Sequence, residues 1–132
     1  VKKAWDLIDA VLAGQVPEAL RQLDLLLGSG EQPIAVLGQI SYSLRQLAAA
    51  TRLIVQGEAS GQRVPLGQAL EQAGVRSFVA RKAEQQLRRL GRQRGQQLYR
   101  WLLAADLDLK GASSAPPRLV LERLIVRLAS AS

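Results

Sequence analysis

The chain of 132 residues is 48 % hydrophobic and 22 % charged, a balance that fits one folded domain and excludes a disordered chain. It contains neither Cys nor His, which rules out a disulfide framework, a thiolate metal site and the histidine-centred catalytic dyads. The net charge of +7 is concentrated, because the segment Arg76–Arg100 holds eight basic residues against Glu84 alone, a surplus equal to that of the whole chain.

Helical periodicity runs from end to end. Trp5, Ile8, Val11 and Leu12 lie on one face, with Lys2, Asp6 and Asp9 on the other, predicting a first helix that stops at Gly14. Pro17 suits the first position of a second helix, where its missing N–H costs nothing, and Leu20, Leu23 and Leu27 follow until Gly28-Ser29-Gly30. Pro33 opens a third helix whose seam reads Leu37, Ile40, Leu44, Leu47, Thr51 and Ile54. Running to about Gly57, that helix would be roughly 36 Å long and would act as the spine of the domain. Residues 58–63 read as a loop, and Pro65 starts a short helix through Leu66, Ala69 and Leu70 that Gly74 ends.

A basic helix is expected from Ser77, as N-cap, to Leu90, with a break at Gly91 and Gly95. The next helix carries Leu98, Trp101, Leu102, Ala105 and Leu109 on one face and ends at Lys110-Gly111. After the linker 112–117, Val120, Leu121, Leu124, Ile125 and Leu128 define the last helix. No strand-like alternation persists. The expectation is one all-α domain over residues 1–132, a compact bundle of seven helices around the third. Trp5 and Trp101 sit on apolar faces and are expected in the core.

Little in the sequence offers chemistry. No Gly-rich string precedes Lys-Ser/Thr, so there is no phosphate loop, and Lys110-Gly111 has the wrong order. Asp6 and Asp9 belong to the polar face of an amphipathic helix, while Asp106 and Asp108, two residues apart, point to different sides. Solvation accounts for both pairs, and no catalytic, cofactor or metal site is expected. No apolar run reaches the roughly 18 residues of a membrane span, and no signal peptide is visible. The chain lacks Met and opens on Val1, which suggests a piece of a longer protein.

The basic segment is the strongest physical signal. On a regular helix Arg81, Arg88 and Arg92 fall along one line with Lys82 and Arg89 beside it, opposite Val79, Ala83, Leu87 and Leu90. With Arg76 and Arg94 these form a candidate basic surface for a partner or DNA. Such a face can simply be solvated, pack on a neighbouring protein of the same assembly, bind phosphates, or approach an anionic membrane. The membrane option is weakest, since no bulky apolar groups accompany the charges. Residues 66–82 also have the outline of a helix–turn–helix: a short helix, a Gly turn and a basic second helix. In that outline Phe78 and Val79 would be used in packing. The terminal helix has an apolar stripe wide enough for central burial or a partner groove.

The order of motifs resembles the C-terminal domain of the delta subunit of bacterial DNA polymerase III. The resemblance is carried by residues 5–14 (WDLIDAVLAG), 17–20 (PEAL), 30–34 (GEQPI) and a long helix with Arg45. It continues in Gly74-Val75, residues 78–82 (FVARK), 104–111 (AADLDLKG) and 117–125 (PRLVLERLI), and so covers essentially the whole chain. The basic stretch 90–94 departs from the acidic-to-neutral helix start of that pattern.

The resemblance implies an all-helical collar domain that joins clamp-loader subunits into a pentameric ring in the bacterial cytoplasm, without enzymatic activity of its own. Sliding-clamp contact would belong to preceding AAA+-like domains. On the last helix, Arg118, Glu122, Arg123 and Arg127 are the candidate subunit interface. Any DNA binding is expected to be weak, salt-labile and indifferent to sequence, as counterion release alone gives; the alternative is a helical nucleic-acid-binding module built on Arg76–Arg100. Without a phosphate loop, the chain should neither bind nor hydrolyse ATP; saturable nucleotide binding in titration calorimetry at micromolar affinity would contradict this.

Overall fold

Amphipathic spacing sets the positions of the helices. The computed structural model describes residues 2–130 and contains α1 (Lys2–Leu12), α2 (Val16–Gly28), α3 (Pro33–Ala59), α4 (Leu66–Gln72), α5 (Ala80–Leu107) and α6 (Pro117–Ser130). A 3-10 turn, Ser77–Val79, precedes α5, and a π turn, Asp108–Ala112, follows it. No strand occurs among the described residues, in line with the all-α expectation.

The expected seven helices are six. The two helices anticipated on either side of Gly91 and Gly95 form one element, α5, whose torsions leave the helical range at Gly91 (φ 76°, ψ 161°) and not at Gly95. Ser77 does not cap a helix. It opens the 3-10 turn after an extended Arg76, and no side chain caps that turn. The expected stop at Lys110-Gly111 takes the form of the π turn, in which Gly111 adopts φ 110° before Ser113 becomes extended.

The chain packs as two units, residues 1–42 with 100–132 and residues 43–99. Both α3 and α5 contribute to each. In the first unit α1, α2 and α6 pack on one another. Leu7, Ile8, Val11, Leu23, Leu26, Leu121, Ile125 and Leu128 are buried there. Each such side chain contributes roughly 1.5–3 kcal/mol relative to exposure. Trp5 and Trp101 are half-buried and lie outside the core, as befits a ring large enough that complete burial is rare.

In the second unit α3 buries Leu44, Leu47, Ala48, Ala50 and Thr51, α4 buries Ala69 and Leu70, and α5 buries Ala83, Leu87, Leu90 and Leu98. The anticipated seam of α3 is buried from Leu37 to Thr51, and Ile54 is half-buried. Gly95 brings α5 against α3, since a Cβ there would overlap the Thr51 side chain. The Thr51 hydroxyl donates 2.9 Å to the Leu47 carbonyl, so its polarity is satisfied inside its own helix.

On α2 the Glu18 carboxylate accepts from Arg21 at 2.9 and 2.8 Å and from Gln22 at 2.7 Å. The Arg21 hydrogen bond, then that of Gln22, lowers its pKa from 4.5 to about 2. The stability this arrangement supplies is present above pH 4.5 and lost as pH falls toward 2. Glu18→Gln should therefore flatten that part of the stability–pH curve, as measured by urea midpoints across the acid range. The torsions of Gly91 belong almost solely to glycine. Gly91→Ala should cost about 1–3 kcal/mol in urea unfolding. Gly28→Ala, at a helical position facing open space, should be neutral or slightly stabilising.

Candidate interface and basic surface

The apolar stripe of α6 is turned inward, with Val120, Leu121, Leu124, Ile125, Leu128 and Ala129 buried. The remaining face carries the four polar candidates, which have different partners. Arg118 forms ion pairs with Asp24 of α2 and with Glu122, the latter at 3.2 Å. These two candidates thus tie α6 to α2 and to itself. Arg127 lies with its guanidinium 5.9 Å from the centre of the Trp101 ring. Arg123 is exposed and makes no ion pair among the described residues.

Arg123 and Arg127 stand on a ridge between two shallow grooves. On one side Trp101, Ala104, Asp108 and Val120 line a recess of about 240 Å³. On the other, Leu20, Leu119 and Val126 form a more open and more apolar trough. Sequence reasoning missed the apolar members of this face. Val126 is its exposed member, at 38 %; elsewhere, on α5, Leu103 and Leu107 are 54 % and 50 % exposed and line neither groove. Their signal was present: both leucines fall opposite the buried Leu98, Leu102 and Ala105, where a leucine gains nothing from an intramolecular core.

The basic candidates also separate. Arg76, Arg81, Lys82, Arg88, Arg89 and Arg92 are exposed. Arg94 is not a surface residue, being only 7 % exposed. The torsional break at Gly91 frees the last carbonyls of the preceding helical segment. The Arg94 guanidinium donates to the Leu90 carbonyl at 2.9 Å and to that of Arg89 at 2.6 Å. Loss of hydration lowers its pKa from the ordinary arginine value, yet a guanidinium in this setting stays charged.

The line of Arg81, Arg88 and Arg92 along a single helix face is interrupted by the same break. Arg92 pairs instead with Glu58 at the end of α3, 2.6 Å away. Arg88 reaches Glu84 at 3.9 Å. Arg76, Arg81 and Arg89 have no ion-pair partner among the described residues. The unit formed by residues 43–99 holds ten basic and three acidic residues, so the whole surplus of the chain resides in it. Phe78, expected in packing, is 79 % exposed in the 3-10 turn.

No cluster of three metal-ligating side chains exists among the described residues. Among the described residues no helix is long and apolar enough to cross a membrane.

Comparison with curated proteins finds no match. Among solved structures, the Bacillus subtilis DNA clamp loader delta protein matches with a TM-score of 0.75 at 21 % identity. The match covers 96 % of this chain and 35 % of that one, so the chain spans about a third of that protein's length, and at this identity the likeness concerns the fold. The family described as the C-terminal domain of the DNA polymerase III delta subunit matches residues 1–128. On a match of that extent, this chain belongs to that family of delta C-terminal domains.

Proposed function

We propose that this chain is a collar domain that assembles a delta subunit with the other subunits of a bacterial clamp loader, and that it does so through the outer face of α6. Membership of the delta C-terminal family over residues 1–128 carries the reading. The α6 ridge supports it in physical terms. Arg123 and Arg127 flank exposed Val126, with Trp101 in the adjoining groove, and Arg and Trp anchors beside apolar recesses are what protein interfaces favour. Arg118 and Glu122 hold the helix in place for that contact through their bonds to α2 and to each other.

On this reading the domain is non-catalytic and works in the bacterial cytoplasm as part of a hetero-pentamer. The sliding clamp is engaged by domains of the delta subunit that precede it. A collar element needs unlike neighbours to close its ring. The chain alone should therefore be monomeric, near 14.3 kDa by size-exclusion chromatography with light scattering. In the presence of the other clamp-loader subunits, Arg123→Glu combined with Val126→Asp should weaken assembly about tenfold or more. The exposed Arg45→Glu, in the other unit, should leave it unchanged. A closed homo-oligomer of the chain alone, or equal assembly by both variants, would reject the reading.

A further inference from the structure

Two guanidinium groups on the outer face of α6 have no anion to answer them. Arg123 and Arg127 are exposed and make no ion pair among the described residues. They stand one helical turn apart, about 6 Å along the axis. Arg118, on the same helix, already engages Asp24 and Glu122. Arg127 lies over the Trp101 ring, which fixes where its charge sits without neutralising it. Both arginines line both recesses, beside Trp101 and Val120 in one and beside Leu119 and Val126 in the other. Asp108 lines the first recess but pairs with neither arginine. A partner that covers these apolar walls must also strip water from the two charges. A guanidinium that loses its water without gaining an anion opposes association, so the covering element must bring a carboxylate.

We infer that the occupant of this ridge is a helix of an unlike clamp-loader subunit. It lays apolar side chains against Leu119 and Val126 and places an aspartate or glutamate between Arg123 and Arg127. This rests on the collar reading of α6 and adds to it the chemistry of the partner. A second copy of this chain is a poor occupant, because a twofold contact sets the same patch against itself and would oppose arginine with arginine. A nucleic-acid strand is no better. Asp108 and Glu122 line the same recesses, and the first unit has no cationic surplus to hold a polyanion. A carboxylate on an otherwise apolar helix face meets both the charge and the shape of the ridge. Apolar contact supplies most of the affinity, and the ion pairs decide which neighbour is accepted.

The full delta subunit carrying Arg123→Lys or Arg127→Lys, assembled with the other clamp-loader subunits and treated with a carbodiimide, tests this. That reagent joins an amine only to a carboxylate in contact with it. Mass spectrometry should find the new lysine joined to an aspartate or glutamate on a helix of a different subunit. Links confined to Asp108, Glu122 or a second copy of this chain would overturn the inference, as would no link from either position in the assembled complex. In parallel, Arg123→Gln combined with Arg127→Gln should weaken assembly about tenfold. The same variant should flatten the salt dependence between about 0.05 and 0.3 M, whereas Val126→Asp should weaken assembly at every salt concentration. Thermal melts by circular dichroism check that each variant remains folded. If Val126→Asp impairs assembly and the double glutamine variant does not, α6 is still the collar face and only the carboxylate is rejected. If neither impairs it, the collar reading fails and this inference falls with it.

Discussion

The guanidinium of Arg94 is the contact on which the second unit depends. Gly91 interrupts the torsions of α5 and leaves carbonyls without their usual donors. A buried carbonyl without a partner costs about 1–3 kcal/mol, and a buried charge without one costs more. Each would be unfavourable alone; together they satisfy one another, at 2.6 and 2.9 Å. One residue later Gly95 meets Thr51 of α3 at a spacing that no side chain at that position would allow. The short stretch 91–95 thus combines a torsional break, an internal cap and a close helix approach.

That arrangement also sorts the charge. The stretch from Arg88 to Arg94 supplies four arginines to one short segment of α5, and crowding like charges in water is unfavourable. Arg94 is drawn inside, while Arg88 and Arg92 are partly neutralised by Glu84 and Glu58. Exposed pairs of this kind add little stability, but they determine which cations remain available to a ligand. In residues 76–94, Arg76, Arg81 and Arg89 are left without an ion pair among the described residues. The first unit, by contrast, is neutral in sum. Its outer α6 face relies on shape and apolar contact, with Arg123 and Arg127 at the rim of two grooves.

From the sequence alone, residue spacing placed the outer bounds of the helices to within a few residues while dividing α5 in two, because apolar recurrence at three and four positions has one economical solution: a face buried against other helices. It also determined the absence of cysteine and histidine chemistry, the confinement of the net charge and the resemblance to the delta C-terminal domain family. Tertiary structure alone decided the direction of individual side chains. Arg94 reads in sequence like its neighbours Arg89 and Arg92, and only a break in the backbone, with carbonyls left over, makes the interior favourable for it. Phe78 reads as a core residue until a 3-10 turn carries it into solvent. Trp101 becomes the wall of a groove because Arg127, distant in sequence, lies over it. Periodicity is a local property of the chain. Solvent access depends on which distant segment arrives to cover a side chain, and that is decided only when the helices pack.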